Sequence, residues 1–389
     1  MKAMRTIGVV TVGRSDYGIY RPILEKMAGD AGLQPHLLVA GMHWLEAYGY
    51  TAGVIEKDGF KKLEKIVFSF DSDSPSGIAA TMGEAVSAFS KSYAKKRPDI
   101  LLVLGDRFEM HAAVLAALPF KIPVAHIHGG ELTLGAIDNV LRHSITLFSH
   151  LHFAATEEYK KRILQMGEEP WRVFCSGAPA LDGIAKHTPL SLQELARHLD
   201  ISLEEAPILV TYHPATLEFE NTAYQVDQLF LALARVDRPI IFTASNTDTG
   251  NAVIREKMGS FIASRKKTFY VSNFGPDLYF SILANAAAMV GNSSSGLIEA
   301  PSFELPVVNI GRRQEGRMRA RNVIDTGYSA EEITKGLSKA LSPEFRASLK
   351  GVRNPCGDGR ASEKIVHVLR EISLDEKLII KRFVDIHGI

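Results

Sequence analysis

Between Ile100 and Arg142 the chain gathers more acid, imidazole and guanidinium than a core requires. Asp106 and Arg107 follow Gly105 directly after the apolar run Ile100-Leu101-Leu102-Val103-Leu104. After Pro123 come Val124-Ala125-His126-Ile127-His128-Gly129-Gly130-Glu131. Asp138 and Asn139 stand where a helix can start, with Arg142 and His143 on its first turns. Burying carboxylates such as Asp106, Glu131 and Asp138 beside an anion makes sense chiefly for proton transfer. The elements that must position them follow from the apolar runs. A run without alternation reads as a strand buried on both faces, and the polar residues after it then fall at its carboxyl end, where open parallel sheets hold ligands. Two adjacent parallel strands would bring Asp106, Arg107, His128 and Glu131 to one crevice.

Three further turns suit an anion. Gly13-Arg14-Ser15-Asp16-Tyr17-Gly18 links the first strand-like run to a helix, which would offer free N–H groups and a positive dipole end. It is not the G-x-G-x-x-G dinucleotide pattern, which counts against NAD. Gly291-Asn292-Ser293-Ser294-Ser295-Gly296 lies between apolar Ala288-Met289-Val290 and amphipathic Leu297-Ile298-Glu299-Ala300. A helix N-cap needs only one serine, so three suit a diphosphate. Gly311-Arg312-Arg313-Gln314-Glu315-Gly316-Arg317 is either a guanidinium cluster for the same anion or a solvated basic loop. Tyr212-His213-Pro214 places an imidazole at another strand end, either as hydrogen-bonded packing or facing the site. His126 and His128 share a strand face with Glu131 close behind, the start of a metal-ligand set; without a third nitrogen or sulfur ligand at fixed spacing, no metal is expected.

Strand-like runs alternate with helix-period segments throughout the 389 residues, so the fold class is α/β with parallel sheets covered by helices. The runs cover residues 7–12, 36–40, 66–70, 100–104, 124–127, 151–154 and 173–175, then restart at 208–212, 240–243, 268–271, 288–290 and 307–310. The restart divides the chain into an N-terminal domain over 1–182, a second over 183–360, and a charged helical close over 361–389 that packs back on the first. The natural small-molecule site is the cleft that the two sheets face. Lys and Arg total 45 against 44 Asp and Glu, a net charge of +1 that makes no case for nucleic acid or anionic membrane. No cleavable signal is evident after Met1, no apolar stretch reaches membrane-spanning length, and Cys175 and Cys356 fit no zinc or redox spacing. A cytoplasmic location is the expectation.

These motifs, in this order, resemble the hydrolysing UDP-N-acetylglucosamine 2-epimerases of sialic-acid biosynthesis and, more broadly, their non-hydrolysing sister family. The likeness runs from Gly13-Arg14-Ser15-Asp16-Tyr17 through Gly105-Asp106-Arg107, His126 to Glu131, Gly135-Ala136-Ile137-Asp138, Arg142-His143, His213-Pro214, Gly291 to Ser294 and Arg313-Gln314 to Gly357-Asp358-Gly359. It implies two Rossmann-like domains in the glycosyltransferase-B arrangement, with a final helix returning to the first. It also implies release of UDP and of a free sugar inverted at C2, through a 2-acetamidoglucal, without metal or other cofactor. Asp106 and Asp138 match catalytic acids of that family, and Glu131 closes its Gly-Gly-Glu motif. Arg14, Ser293, Ser294, Glu299 and Arg313 match UDP-holding residues, Glu299 suiting the ribose hydroxyls, and His213 lies near the diphosphate. The neighbouring Asp16, Arg107, Arg142, His143 and Asn292 complete the expected substrate-binding set.

One position departs from the pattern. His128 stands where relatives often carry a glutamate, so either His128 or Glu131 takes the acid/base role, and either Asp106 or Asp138 removes the C2 proton. The substrate is then UDP-N-acetylglucosamine or, on the legionaminic-acid route, UDP-2,4-diacetamido-2,4,6-trideoxyglucose. A non-hydrolysing epimerase, a glycosyltransferase of the same fold and a non-catalytic nucleotide-sugar sensor are the rivals. The only partners expected are the UDP-sugar and further copies of the chain in a dimer or tetramer.

Overall fold

Unbroken apolar runs form the centres of two parallel sheets. The structure is a computed structural model that describes residues 4–46, 49–60, 62–71, 74–215, 217–245, 250–272 and 274–385, so the opening Met1–Ala3 read above lies outside it. The first sheet holds β1 (Arg5–Thr11), β2 (Leu33–Val39), β3 (Leu63–Lys65), β4 (Ile100–Leu104), β5 (Val124–Ile127), β6 (Leu151–Ala154) and β7 (Val173–Cys175), in the order β3-β2-β1-β4-β5-β6-β7. The second holds β8 (Ile208–Thr211), β9 (Ile240–Thr243), β10 (Thr268–Val271), β11 (Ala288–Gly291), β12 (Val307–Ile310) and β13 (Val323–Thr326), in the order β10-β9-β8-β11-β12-β13. Strand order reverses between β1 and β4 in one sheet and between β8 and β11 in the other. At such a switch point the crossovers leave on opposite faces, which opens a crevice beyond the carboxyl ends.

The register aligns the chemistry. Val9 pairs with Leu102 and Leu104 with Ile127, so the segments that leave β1, β4 and β5 emerge side by side. All of β4 is buried, as its lack of alternation requires. One apolar core covers the first sheet, and two clusters, around Val226 and around Ile282, cover the second.

Two compact units result. One comprises Met1–Glu131, Asp138–Asp182 and Cys356–Ile389; the other comprises Leu132–Ile137 and Gly183–Pro355. The short segment Leu132–Ile137 belongs to the second unit, where the Leu134 N–H donates to the Glu315 carbonyl (3.1 Å). The helix Ala361–Glu371 lies in the first unit: Ile365, Val366 and Leu369 enter its core, and Arg5 donates to the Leu369 carbonyl (2.9 Å). Arg172, fully buried, donates to the carbonyls of Lys377, Leu378 and Ile380.

The sequence reading departs from the structure at the edges. The third strand is Leu63–Lys65 where residues 66–70 were expected, and β13 was not anticipated. Both are short edge strands only partly buried, so neither carries the long apolar run by which a central strand is recognised. Within the polar stretch 186–205 lies the helix Leu192–Leu199, started by the Ser191–Glu194 capping box. The charged close breaks into Ala361–Glu371 and Glu376–Ile379. Among the described residues no helix is long and apolar enough to cross a membrane.

Asp182 holds the returning helix, its buried carboxylate accepting from the N–H groups of Ala361 (2.8 Å) and Ser362 (2.6 Å) at the helix start. Asp182→Ala should lower unfolding stability by about 1–2 kcal/mol, with Asp182→Asn retaining part of the loss. Urea denaturation checks this, and an unchanged midpoint for the alanine variant refutes the capping role.

Candidate active site

In the first unit the ends of β4 and β5 carry two acid–base pairs. Asp106 leaves β4 through Gly105 and accepts a hydrogen bond from Nη2 of Arg142 on the helix Asp138–Phe148. Arg142 is 1% exposed, and a cation that deep needs a carboxylate partner. Asp138 begins the same helix four residues earlier, so it shares the Arg142 face, while His143 lies about 100° around the axis and is not brought onto Asp106. Half-burial and the neighbouring Arg142 and Arg162 lower the His143 pKa.

The second pair is His128 and Glu131. His128 N–H still donates to the Phe153 carbonyl of β6 (3.1 Å), but its backbone has turned to φ +65°. Histidine is among the few side chains that enter this region, at a cost of order 1–3 kcal/mol. The turn swings its Nδ1 to 2.5 Å from Oε1 of Glu131, both side chains being buried. With Nδ1–H donated to the carboxylate, Nε2 is left as a proton acceptor, the arrangement by which a carboxylate orients an imidazole base.

A third cluster was only half visible in the sequence. Arg107 turns onto Glu109 through two bonds of 3.2 Å, and Glu109 is fully buried. Arg107 therefore has its charge met inside the protein and is not turned out as a free anion clamp. Asp16, 7% exposed, lies near both and receives long bonds of 3.4 Å from Val12 N–H and the Ser15 hydroxyl. Burial pushes its pKa up to about 6, with Glu109 adding to the rise and Arg107 opposing it. Arg14, by contrast, is exposed on the first turn of the helix Arg14–Ala28.

In the second unit the turns after β8, β11 and β12 converge on Asn292. Its side-chain oxygen accepts from His213 N–H (2.7 Å) and its amide nitrogen donates to the His213 carbonyl (2.8 Å). Its own carbonyl accepts from Arg313 (3.3 Å) and Gln314 (2.9 Å). Asn292, 1% exposed, thus holds the other groups in place, and its amide is not presented to a ligand as the sequence suggested. Gly291 makes the turn possible: at φ +134°, an added Cβ would run into the Thr211 carbonyl. Ser293 and Ser294 are half-exposed, whereas Ser295 is buried and accepts from the Tyr279 hydroxyl (2.6 Å). The helix behind them is the single turn Ser295–Ile298, with Glu299 at its end and Pro301 just beyond. The expected helix-dipole contribution to anion binding is correspondingly small, because proline supplies no N–H to continue the ladder. Donors here are hydroxyls, backbone amides and Arg313.

Sequence reasoning missed Glu109, Thr146 and the anchoring part of Gln314. Glu109 two residues after Arg107 was a usable signal. Thr146 had none, because its role depends on His126 across the fold. His126 does not pair with His128 as a ligand set: its nitrogens lie 2.7 Å from the Gly105 carbonyl and 3.2 Å from the Thr146 hydroxyl.

Two parallel sheets, each with polar strand ends at a switch point, define the two-domain glycosyltransferase-B-like class of fold. A UDP-N-acetylglucosamine 2-epimerase from Neisseria meningitidis, solved with UDP-GlcNAc bound, superposes with TM-score 0.80 at 19% identity, covering 94% of this chain and 99% of the other. The family model for UDP-N-acetylglucosamine 2-epimerase matches residues 25–370. A GDP/UDP-N,N'-diacetylbacillosamine 2-epimerase (hydrolyzing) of Campylobacter jejuni is 36% identical, covering 98% of this chain and 99% of the relative. The polysialic acid biosynthesis protein P7 of Escherichia coli is 35% identical, covering 98% of each. The chain belongs to the UDP-N-acetylglucosamine 2-epimerase family and is an epimerase.

Asp16 generates a pH-dependent expectation. Its folded pKa of about 6 exceeds the reference 3.8, so its stability contribution is greatest below the lower value and is lost as pH rises through the upper one. Asp16→Asn should therefore be more stable than the wild type at pH 8 by about 1–3 kcal/mol, with the gain vanishing near pH 4. Urea midpoints at the two pH values test it, and equal shifts at both exclude the ionised carboxylate as the source.

Proposed function

We propose that the protein hydrolyses a UDP-linked 2-acetamido sugar to UDP and the free C2 epimer, the reaction UDP-N-acetylglucosamine + H2O to N-acetylmannosamine + UDP, in the cytoplasm for nonulosonic acid synthesis. The reading rests on the pairing of Asp106 with Arg142 and of His128 with Glu131 at neighbouring strand ends. Inverting C2 requires a proton to leave one face of the ring and another to arrive on the opposite face, so two proton-transfer groups are needed. Asp106 takes the C2 proton as the C1–O bond breaks and UDP departs, giving the 2-acetamidoglucal. Water then adds its oxygen to C1 while His128, in its charged form and oriented by Glu131, delivers a proton from Nε2 to C2; the proton lost by the water restores Nε2, and the one held by Asp106 passes to solvent.

In the second unit, Ser293, Ser294 and Arg313 hold the diphosphate and offset the charge that grows on the leaving oxygen. His213 lies beside them, and Glu299 accepts from the ribose. Arg14 adds a cation from the first unit. A second substrate, UDP-2,4-diacetamido-2,4,6-trideoxyglucose, is favoured by the name of the Campylobacter relative, and the same groups serve it, since C4 and C6 take no part.

Each UDP-sugar incubated alone in D2O should yield UDP and a free manno-configured sugar deuterated at C2; a UDP-linked epimer as the product refutes the hydrolytic reading. Asp106→Asn should lower kcat at least about 1,000-fold with UDP affinity within about threefold, whereas Arg313→Ala should weaken UDP binding by about 1–3 kcal/mol. His128→Asn, whose side chain tolerates the same backbone turn, should release UDP while 2-acetamidoglucal accumulates. Complete turnover by that variant assigns the second proton to another group.

A further inference from the structure

We propose that His126 is a positioning residue of the reaction: by joining the Gly105 carbonyl to the Thr146 hydroxyl, its ring sets the angle at which Asp106 meets the substrate. The inference rests on the reading that Asp106 moves the C2 proton. His126 lies on β5 opposite Val103 of β4 and is fully buried. Its ring reaches along the sheet to Gly105, the residue before Asp106, with Nε2 at 2.7 Å from the carbonyl oxygen. A carbonyl only accepts, so Nε2 carries the ring proton and Nδ1 is an acceptor. The Thr146 hydroxyl is the donor, its one proton shared between Nδ1 at 3.2 Å and the Arg142 carbonyl at 2.9 Å.

The connections close a circuit. Gly105 leads through the peptide bond to Asp106, Asp106 is bonded to Arg142, the Arg142 carbonyl lies against Thr146, and Thr146 returns through His126 to Gly105. A carboxylate held at its own head by Arg142 and at its backbone by His126 has little freedom to swing. Packing keeps the circuit tight: a Cβ at Gly129 would stand 3.0 Å from Nδ1 of His126 and 3.1 Å from the Thr146 hydroxyl, so this position accepts nothing larger than glycine without displacing them. Burial lowers the His126 pKa to about 3, so the ring stays neutral, and its tautomer fixed, across the working pH range. A buried imidazole is costly unless satisfied, and here Nε2 holds the backbone beside a proton-transfer group while Nδ1 meets the Thr146 hydroxyl.

Steady-state kinetics of Thr146→Val, Thr146→Ser, His126→Gln and Asp106→Asn test the inference, the Thr146 and His126 variants each being checked for an unchanged melting midpoint. Thr146→Val is nearly isosteric and should lower kcat about tenfold with KM and UDP inhibition within about twofold, because misorientation acts on the chemical step. Thr146→Ser keeps the hydroxyl and should restore the rate, and His126→Gln, whose amide can still reach Gly105, should fall between. In 15N NMR the His126 ring should hold the neutral Nε2–H tautomer unchanged from pH 5 to 9. A Thr146→Val rate within about twofold of the wild type, a loss carried wholly by KM, or titration of His126 in that range overturns the inference. If Asp106→Asn turns over normally, the reading of Asp106 fails and takes the inference with it. An inert Asp106→Asn beside an unimpaired Thr146→Val removes the inference alone.

Discussion

The guanidinium of Arg142 is buried in the first unit, and everything around the candidate site follows from the need to neutralise it. Removing one member of such a pair leaves an uncompensated charge and costs about 3–5 kcal/mol, so the Asp106 carboxylate is tied to the helix Asp138–Phe148 as firmly as to its own strand. That single ion pair converts two elements far apart in sequence into one rigid platform. His128 and Glu131 then stand at the end of the adjacent strand, and the geometry between the two pairs is set by sheet register, which is uniform to within a few tenths of an ångström.

The second unit solves the same problem without buried charge. Asn292 clamps the His213 backbone from both sides and, through its own carbonyl, draws in Arg313 and Gln314. Three loops from three strands are thereby fixed by one buried amide, leaving the hydroxyls of Ser293 and Ser294 half-exposed. The Tyr328 hydroxyl reinforces the loop after β12, accepting from Arg312 N–H and donating to Glu218. A diphosphate that gains charge on departure is best met by donors that need not reorganise, and loops pinned at their backbones provide them.

Several features of the first unit oppose stability. His128 has a left-handed backbone, and Asp16 is a carboxyl pushed towards neutrality by burial. A core optimised only for folding would hold glycine or asparagine at the one and an apolar or amide side chain at the other. Such conflicts collect where chemistry outweighs folding, and the bonds of Arg172 and Asp182 elsewhere in the unit hold its frame in place.

By itself, the sequence determined the central strands, the α/β class, the second set of strand runs from Ile208 and the motifs at the strand ends, because unbroken apolar runs and glycine-marked turns are local patterns that a parallel sheet uses directly. It also marked Asp106, His128, Glu131 and the Gly291–Ser294 turn as candidates. It did not reveal the edge strands β3 and β13, whose half-buried residues carry no period, nor the one-turn length of the helix after the serines. Only the tertiary structure decided that Asn292 serves the backbone, that Arg107 belongs to Glu109, that His126 binds a carbonyl, and that Leu132–Ile137 joins the second unit. Hydrogen-bond partners are chosen across the fold by burial and distance, and neither quantity exists along the chain until the sheets have formed.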